Sequence, residues 1–139
     1  MRIEIPEEKK LVHEMLMPIR WGDMDAFGHV NNTIYFRYLE QARVEWIESL
    51  GIRIAHNRIA MLMANGFCNF YKQLTYPGQL ALNTYIGSIG KSSIDVFTTM
   101  SLTGNPTFIV AAGGATMVCV DLDTNKSIPW PESILTKLR

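Results

Sequence analysis

Apolar and polar residues follow one another with the period of a strand, then of a helix, then of several strands. Between His13 and Arg20 they alternate, which predicts a first strand, and Pro18 favours an edge position in the sheet. From Asn31 to Leu50 apolar residues recur at helical spacing, and Gly51 is a typical helix stop. This apolar stripe of the predicted long helix consists of Tyr35, Tyr38, Leu39, Ala42, Trp46 and Leu50.

The remainder of the chain is predicted to be mainly strands joined by short turns. After a weakly marked segment at 52–60, the predicted strands are Met61–Tyr71, Leu80–Ile89, Ile94–Leu102 and Thr107–Val120. The last of these is apolar on both faces, as expected of a central strand. Its small residues at 111–115 would let a helix or a second subunit approach closely. Pro131 is predicted to start a short terminal helix.

This order of elements indicates an α+β fold, in which an antiparallel β-sheet wraps around one long α-helix. The chain has 139 residues, a length that favours one domain over 1–139. A single core of that size is stable without disulfides or metals.

Charge and composition argue against several kinds of partner. The 13 basic and 13 acidic residues cancel, and no basic stripe of the kind that binds nucleic acid occurs in the sequence. No apolar run approaches the roughly 18 residues of a membrane helix. Cys68 and Cys119 lie in apolar stretches, which is typical of free buried thiols and gives no metal-ligand spacing. We therefore expect a cytoplasmic protein with neither a nucleic-acid nor a membrane partner.

The loop before the long helix carries the candidate chemistry. Asp23, Asp25 and His29 precede Asn31 and Asn32, which are both good N-cap residues. The first amides of a helix lack intrahelical acceptors and carry the positive end of its dipole, so they can polarise a carbonyl group. A carboxylate beside them could attack that carbonyl or activate a water. Because a thiolate leaves without much protonation, a thioester is a suitable substrate.

The segment from Arg20 to Asn32, Arg-Trp-Gly-Asp-Met-Asp-Ala-Phe-Gly-His-Val-Asn-Asn, resembles a known family. Together with Tyr-Phe-Arg-Tyr-Leu-Glu-Gln-Ala-Arg at 35–43, it is similar to the 4-hydroxybenzoyl-CoA thioesterase-like branch of the hotdog superfamily. The resemblance implies a hotdog fold and hydrolysis of an acyl-CoA without a metal or other cofactor. It also implies a homodimer or a dimer of dimers, with active sites at the subunit interface.

The same resemblance implies roles for individual residues. Asp25 corresponds to the catalytic carboxylate, and the backbone N–H of Asn32 corresponds to the group that polarises the thioester carbonyl. His29 is a further candidate catalytic residue. The candidate substrate-binding and CoA-binding residues are Gly28, Asn31, Lys91, Ser92 and Ser93.

Several alternatives remain open from the sequence. Asp23 fits a turn-forming acid better than a catalytic one, and Asp25 could be a general base or a nucleophile. His-Val-Asn-Asn at 29–32 also resembles plant acyl-carrier-protein thioesterases, although Phe27 stands where their motif has Asn. The acyl carrier could therefore be a protein, and a non-catalytic dimer that binds acyl ligands is a third possibility. The acyl group is not determined.

Overall fold

Seven strands and two α-helices make up residues 2–139, which the computed structural model describes; Met1, part of the predicted domain, lies outside them. The first half of the chain forms β1 (Lys10–Ile19), α1 (Asn32–Ser49), β2 (Ala55–His56) and β3 (Ile59–Phe70). The second half forms β4 (Gly78–Ile89), β5 (Ser93–Leu102), β6 (Asn105–Asp121), β7 (Lys126–Ser127) and α2 (Glu132–Leu138). Each predicted strand is present, with ends shifted by up to three residues.

The strands form one antiparallel sheet in the order β1-β4-β5-β6-β3-β2, with β7 added to β6. β1 is an edge strand, as Pro18 indicates, because a residue without an N–H is tolerated where one side of the strand is unpaired. β6 pairs with β5 on one side and β3 on the other, as its apolar sequence predicts. Since β1 and β3 lie towards opposite edges, α1 connects them across one face of the curled sheet. The predicted α+β hotdog architecture is confirmed.

The close packing of α1 on β6 depends on small residues in the strand. A Cβ atom built on Gly113 would lie 2.6 Å from Cδ1 of Leu39 on the helix, a distance that side chains do not tolerate. The apolar stripe of α1 fills two clusters between helix and sheet. One contains Leu39 near the start of the helix, and the other contains Trp46 near its end, where α2 also packs.

Local sequence fixes both ends of α1. Asn31 is the N-cap, and its side chain accepts a hydrogen bond from the N–H of Thr33. Beyond the C-cap residue Leu50, Gly51 adopts φ +73°, the left-handed conformation that favours glycine at this position. The terminal helix begins one residue later than predicted, with Pro131 as its N-cap rather than its first helical residue.

Two further sequence-based expectations concern the cysteines and membrane segments. Cys68 and Cys119 are free thiols, half-buried and buried respectively, and burial raises the pKa of Cys68 to about 11. Across residues 2–139, the helices are either too short or too polar to span a bilayer.

Candidate active site

The loop that carries Asp25 is held in a single conformation by its own backbone. Met24 and Val30 form an isolated antiparallel bridge. Inside it, the N–H of Asp25 donates to the carbonyl of His29 at 3.0 Å, and the N–H of Gly28 donates to the carbonyl of Asp25 at 3.0 Å. Gly28 has φ +79°, which explains a glycine here, although a Cβ would meet no atom within 4 Å. The predicted substrate-binding residue Gly28 therefore shapes the turn.

The carboxylate of Asp25 is oriented by two donors. The backbone N–H of Phe27 donates to Oδ1 at 2.9 Å, and the side-chain amide of Asn31 donates to Oδ2 at 3.0 Å. The side chain is half-buried and lines a cleft at the start of α1. Because each oxygen has one donor, it retains a further lone pair for a water or a substrate.

Asn31 links this carboxylate to the helix. Its Oδ1 accepts the N–H of Thr33 at 3.0 Å and the hydroxyl of Thr33 at 2.6 Å. Since Oδ1 faces these two donors, the amide nitrogen must face Asp25. The sequence indicated an N-cap and a substrate-binding residue, and the structure places Asn31 in the cleft wall with its amide bonded to Asp25.

Asn32 also lines this cleft, and its backbone amide differs from nearby backbone amides in its hydrogen bonding. Its neighbours are satisfied, since the amides of Asn31 and Ile34 donate to backbone carbonyls at 3.0 Å and 2.9 Å. Among residues 2–139, no acceptor forms a hydrogen bond with the Asn32 amide. As the first residue of α1, it lies at the positive end of the helix dipole, where a carbonyl oxygen or an anion is stabilised.

Aromatic side chains form much of the remaining surface of this cleft, which has a volume of about 480 Å³. Tyr35 packs its ring against Phe70 with centroids 4.9 Å apart and planes at 83°. Burial raises the pKa of Tyr35, so its hydroxyl stays protonated at neutral pH. Phe27 lies at the rim with 86% of its surface exposed. The wall opposite the loop consists of Phe70, the last residue of β3, and of Tyr71, Lys72 and Gln73, which follow it.

Asp23, two residues before Asp25, lies outside this cleft and is tied to the protein framework. Its Oδ2 accepts the hydroxyl of Tyr38 at 2.6 Å and the N–H of Arg20 at 3.0 Å. Burial and the hydrogen bond to Asp23 both raise the pKa of Tyr38 above its ordinary value. Asp23 thus fastens the 3₁₀ turn at Trp21–Asp23 to α1, in agreement with the structural role that the sequence favoured.

The other predicted site residues divide into two groups. His29 lines the cleft, and its imidazole forms no hydrogen bond within residues 2–139. Lys91, Ser92 and Ser93 lie in the turn between β4 and β5, where their carbonyls bind the amides of Trp130 and Cys119 and the indole of Trp130. Because the 12 residues of β4 span about 36 Å, this turn is remote from Asp25 in the same subunit. Within one subunit, Lys91, Ser92 and Ser93 therefore lie far from the cleft that His29 lines.

Sequence reasoning missed Lys72, Gln73 and the bond between Asn31 and Asp25. In the sequence, Phe70 and Tyr71 are consistent with an aromatic pocket, but core packing explains them equally well. Asn31 and Asp25 are six positions apart in the sequence, and no characteristic sequence pattern marks a hydrogen bond between two such residues. Elsewhere in residues 2–139, no group of three or more potential metal ligands is arranged around one point.

Comparison with known proteins gives consistent matches. The model of the family described as "Thioesterase-like superfamily" matches residues 19–138. The long-chain acyl-CoA thioesterase FadM of Escherichia coli is 30% identical over 125 residues, covering 86% of this chain and 92% of FadM. The solved structure of the PA2801 protein of Pseudomonas aeruginosa is 35% identical with a TM-score of 0.86, covering 94% of this chain and 100% of that one.

A shorter match is to the chloroplastic acyl-acyl carrier protein thioesterase ATL3 of Arabidopsis thaliana. It is 42% identical over 40 residues, which cover 29% of this chain and 21% of ATL3. This similarity is local, whereas the matches to FadM and PA2801 extend over nearly the whole chain.

Proposed function

Because the chain belongs to the thioesterase-like superfamily and is a hotdog-fold thioesterase, we propose that it hydrolyses acyl-CoA, with Asp25 as the catalytic carboxylate. The observation that carries this proposal is one shared cleft. The oriented carboxylate of Asp25 and the unpaired backbone N–H of Asn32 both line it. The similarity to FadM supports CoA as the acyl carrier.

In the proposed reaction, the thioester carbonyl oxygen accepts the N–H of Asn32 at the start of α1. With Asp25 as general base, the carboxylate takes a proton from water as the water oxygen bonds to the carbonyl carbon. Negative charge then develops on the carbonyl oxygen, where the helix amide stabilises it. Collapse of this tetrahedral intermediate breaks the C–S bond, and CoA leaves as the thiolate.

With Asp25 as nucleophile, its oxygen attacks the carbonyl carbon directly and expels the thiolate, giving a mixed anhydride that water hydrolyses. Rapid quenching during the first turnover distinguishes the two routes. A nucleophilic Asp25 gives an acyl group bound to the peptide that contains residue 25, whereas a general base gives no such adduct.

A thiol-release assay over short, long and aromatic acyl-CoAs tests the function. We expect at least one acyl-CoA to be hydrolysed, with the reaction depending on Asp25. Tight acyl-CoA binding without thiol release across the panel would instead favour a non-catalytic protein that binds acyl ligands. The panel also defines the acyl group, for which the aromatic lining of the cleft suits both an alkyl chain and an aromatic ring.

A second candidate substrate is an acyl group on a carrier protein. The local match to ATL3 and the His-Val-Asn-Asn sequence at 29–32 favour it. Comparing kcat/KM for one acyl group on CoA and on a holo-carrier protein decides between the carriers. A higher value on the carrier protein would replace the CoA proposal while leaving the role of Asp25 intact.

We further propose a homodimer formed through the outer edge of β3. β2 pairs only with Ile59 and Ala60, and the N–H of Met61 donates to the carbonyl of Ile54 at 2.8 Å, so the edge from Leu62 to Phe70 has no partner strand within residues 2–139. Leu62 and Met63 on this strand are 45% and 53% exposed. A long, apolar, unpaired edge is a template for another strand, and two copies related by a twofold axis pair antiparallel there. Sedimentation equilibrium of wild type and a Met63→Pro variant tests this, and an unchanged dimer would contradict it.

A further inference from the structure

A second cleft, of about 450 Å³, lies at the opposite end of α1 from Asp25. The segment after α1 and the start of β3 form one side, and α2 forms the other. Its charged or titratable lining residues are Arg53, His56 and Lys137, and none of its ten lining residues is Asp or Glu. A concave surface that carries only basic groups attracts anions.

The cations of this cleft are available for a ligand. Within residues 2–139, Arg53 forms no salt bridge, whereas nearby Arg58 pairs with Asp123 at 3.0 Å. The ammonium of Lys137 donates to the carbonyl of Gly51 at 3.4 Å, which holds it beside the cleft and leaves two further donors. A guanidinium, an ammonium and an imidazole together suit a phosphate group.

The diphosphate of a CoA bound at the Asp25 site cannot reach this cleft in the same subunit. The 18 residues of α1 separate the two clefts by about 27 Å. The arm of CoA between the sulfur and the first phosphorus has 13 bonds and spans about 16 Å when extended. A thioester at Asn32 therefore leaves the diphosphate of CoA well short of Arg53 in the same chain, and only the 3′-phosphate at the far end of the molecule could approach it.

Pairing at β3 brings the cleft of one copy close to the Asp25 site of the other. A twofold axis at the middle of the open edge, beside Asn65 and Gly66, sets Tyr71 of one copy opposite residues 59–61 of its partner. β2 already occupies that edge, so the chain beyond Phe70 must run beside β2 and its exposed His56. Since Phe70 and Tyr71 form the wall of the Asp25 cleft, the basic cleft of the other copy adjoins that wall.

We infer that the basic cleft of one subunit binds phosphate groups of the CoA whose thioester is hydrolysed at Asp25 of its partner. This inference rests on the proposed acyl-CoA thioesterase function and on the β3 dimer. Arg53 and Lys137 are its phosphate-binding residues, and His56 is a third donor when protonated. None of them contacts the reacting atoms.

The test compares two substrates with the same acyl group, acyl-CoA and acyl-N-acetylcysteamine, which has no phosphate. In Arg53→Gln and Lys137→Gln, we expect kcat/KM for acyl-CoA to fall by about tenfold, mainly through KM, as loss of a charged hydrogen bond predicts. The loss should be less than twofold on acyl-N-acetylcysteamine. Arg58→Gln is the matched control, because Arg58 lies outside the cleft, and it should change neither value.

Each outcome separates this inference from the proposed function. Equal losses on both substrates, or no loss on either, would overturn the phosphate site while wild-type hydrolysis of acyl-CoA still supports the thioesterase proposal. No wild-type turnover of any acyl-CoA would contradict both. A loss seen only with the acyl group on a holo-carrier protein would overturn CoA as the source of the phosphate.

Mixed dimers test whether the cleft acts across the interface. Arg53→Gln and Asp25→Asn subunits are unfolded, refolded together and assayed at low acyl-CoA concentration. A heterodimer then contains one intact site, with Asp25 from one subunit and Arg53 from the other, so the mixture should regain about a quarter of wild-type activity. No gain over the average of the separate variants would overturn action across the interface.

Discussion

Asp23 and Asp25 are the same residue type, two positions apart in one loop, and their surroundings give them different roles. Asp23 accepts hydrogen bonds from the Tyr38 hydroxyl and the Arg20 amide, so its carboxylate attaches the loop to α1. Asp25 accepts one donor on each oxygen and still faces the cleft with the free amide of Asn32. The comparison teaches that the direction of the side chain and its partners decide which acid can act on a substrate.

The largest expected effect comes from exchanging each acid for its amide. Asp25→Asn should lower turnover by on the order of 10²–10⁴, because an amide neither accepts the proton of water nor attacks as a carboxylate. Asp23→Asn should lower turnover by less than tenfold and instead reduce the free energy of unfolding. Thiol-release kinetics and urea unfolding of both variants measure the two effects. Full activity in Asp25→Asn would remove this residue from the mechanism.

The second effect concerns the partner of Asp23. Tyr38→Phe should lower the free energy of unfolding by about 1.5–3 kcal/mol, because it removes a partly buried hydrogen bond to a carboxylate. Tyr35→Phe is the matched control, since the Tyr35 hydroxyl donates to a neutral acceptor, the Lys72 carbonyl, over a long distance of 3.5 Å. Equal losses in the two variants would contradict a special role of the bond between Tyr38 and Asp23.

The stability contributed by Tyr38 should depend on pH in a defined direction. Because the folded protein raises the pKa of Tyr38 above 10.0, the unfolded chain releases this proton first as the pH rises. The contribution is therefore complete below about pH 10 and declines above it. The difference in unfolding free energy between wild type and Tyr38→Phe should narrow from pH 9 to pH 11.

The third effect concerns the partner of Asp25. Asn31→Ser and Asn31→Asp both keep a good N-cap, so both should leave α1 intact. Each variant loses the hydrogen bond that the side-chain amide of Asn31 donates to Asp25, and turnover at neutral pH should fall on the order of tenfold. Loss of this donor should move the acid limb of the pH–rate profile to higher pH in both variants, and the second carboxylate of Asn31→Asp should move it further. Profiles identical to that of wild type in the two variants would mean that Asn31 acts as a cap alone.

The smallest effect compares two glycines, one beside each acid. Gly28→Ala should cost about 1–3 kcal/mol of stability, because residue 28 has φ +79°. Gly22→Ala, beside Asp23, has open space and no such conformation, so it should stay within about 0.5 kcal/mol of wild type. Thermal unfolding of the two variants measures the difference, and equal stabilities would show that the Asp25 turn tolerates another conformation.

Local patterns predicted most of the fold. The spacing of Tyr35, Leu39 and Trp46 and the signals at Asn31 and Gly51 located α1 to within one residue at each end. The strand ends were less accurate, because β1 begins at Lys10 and β6 extends from Asn105 to Asp121, polar residues whose pairing depends on distant partners.

The candidate site was only partly predictable. The motif identified Asp25, His29 and Asn32, which the structure brings to one cleft. It could not reveal the wall from Phe70 to Gln73, because these residues meet the loop only when β3 lies next to β6 and α1 crosses the sheet. Lys91 to Ser93 were predicted as CoA-binding residues from the family resemblance. Their distance from Asp25 along β4 leaves that role a prediction for an assembled oligomer.

By itself, the sequence determined which segments are helix and strand, that β1 is an edge strand and which loop carries the chemistry, because these follow from periodicity, caps and turn residues within a few positions. Only the tertiary structure decided that Asp23 binds Tyr38 while Asp25 faces the cleft. It also decided that the side-chain amide of Asn31, the N-cap of α1, donates a hydrogen bond to Asp25. The reason is physical. Side-chain direction and hydrogen-bond partners are set by packing between elements far apart in the chain, and no local preference specifies them.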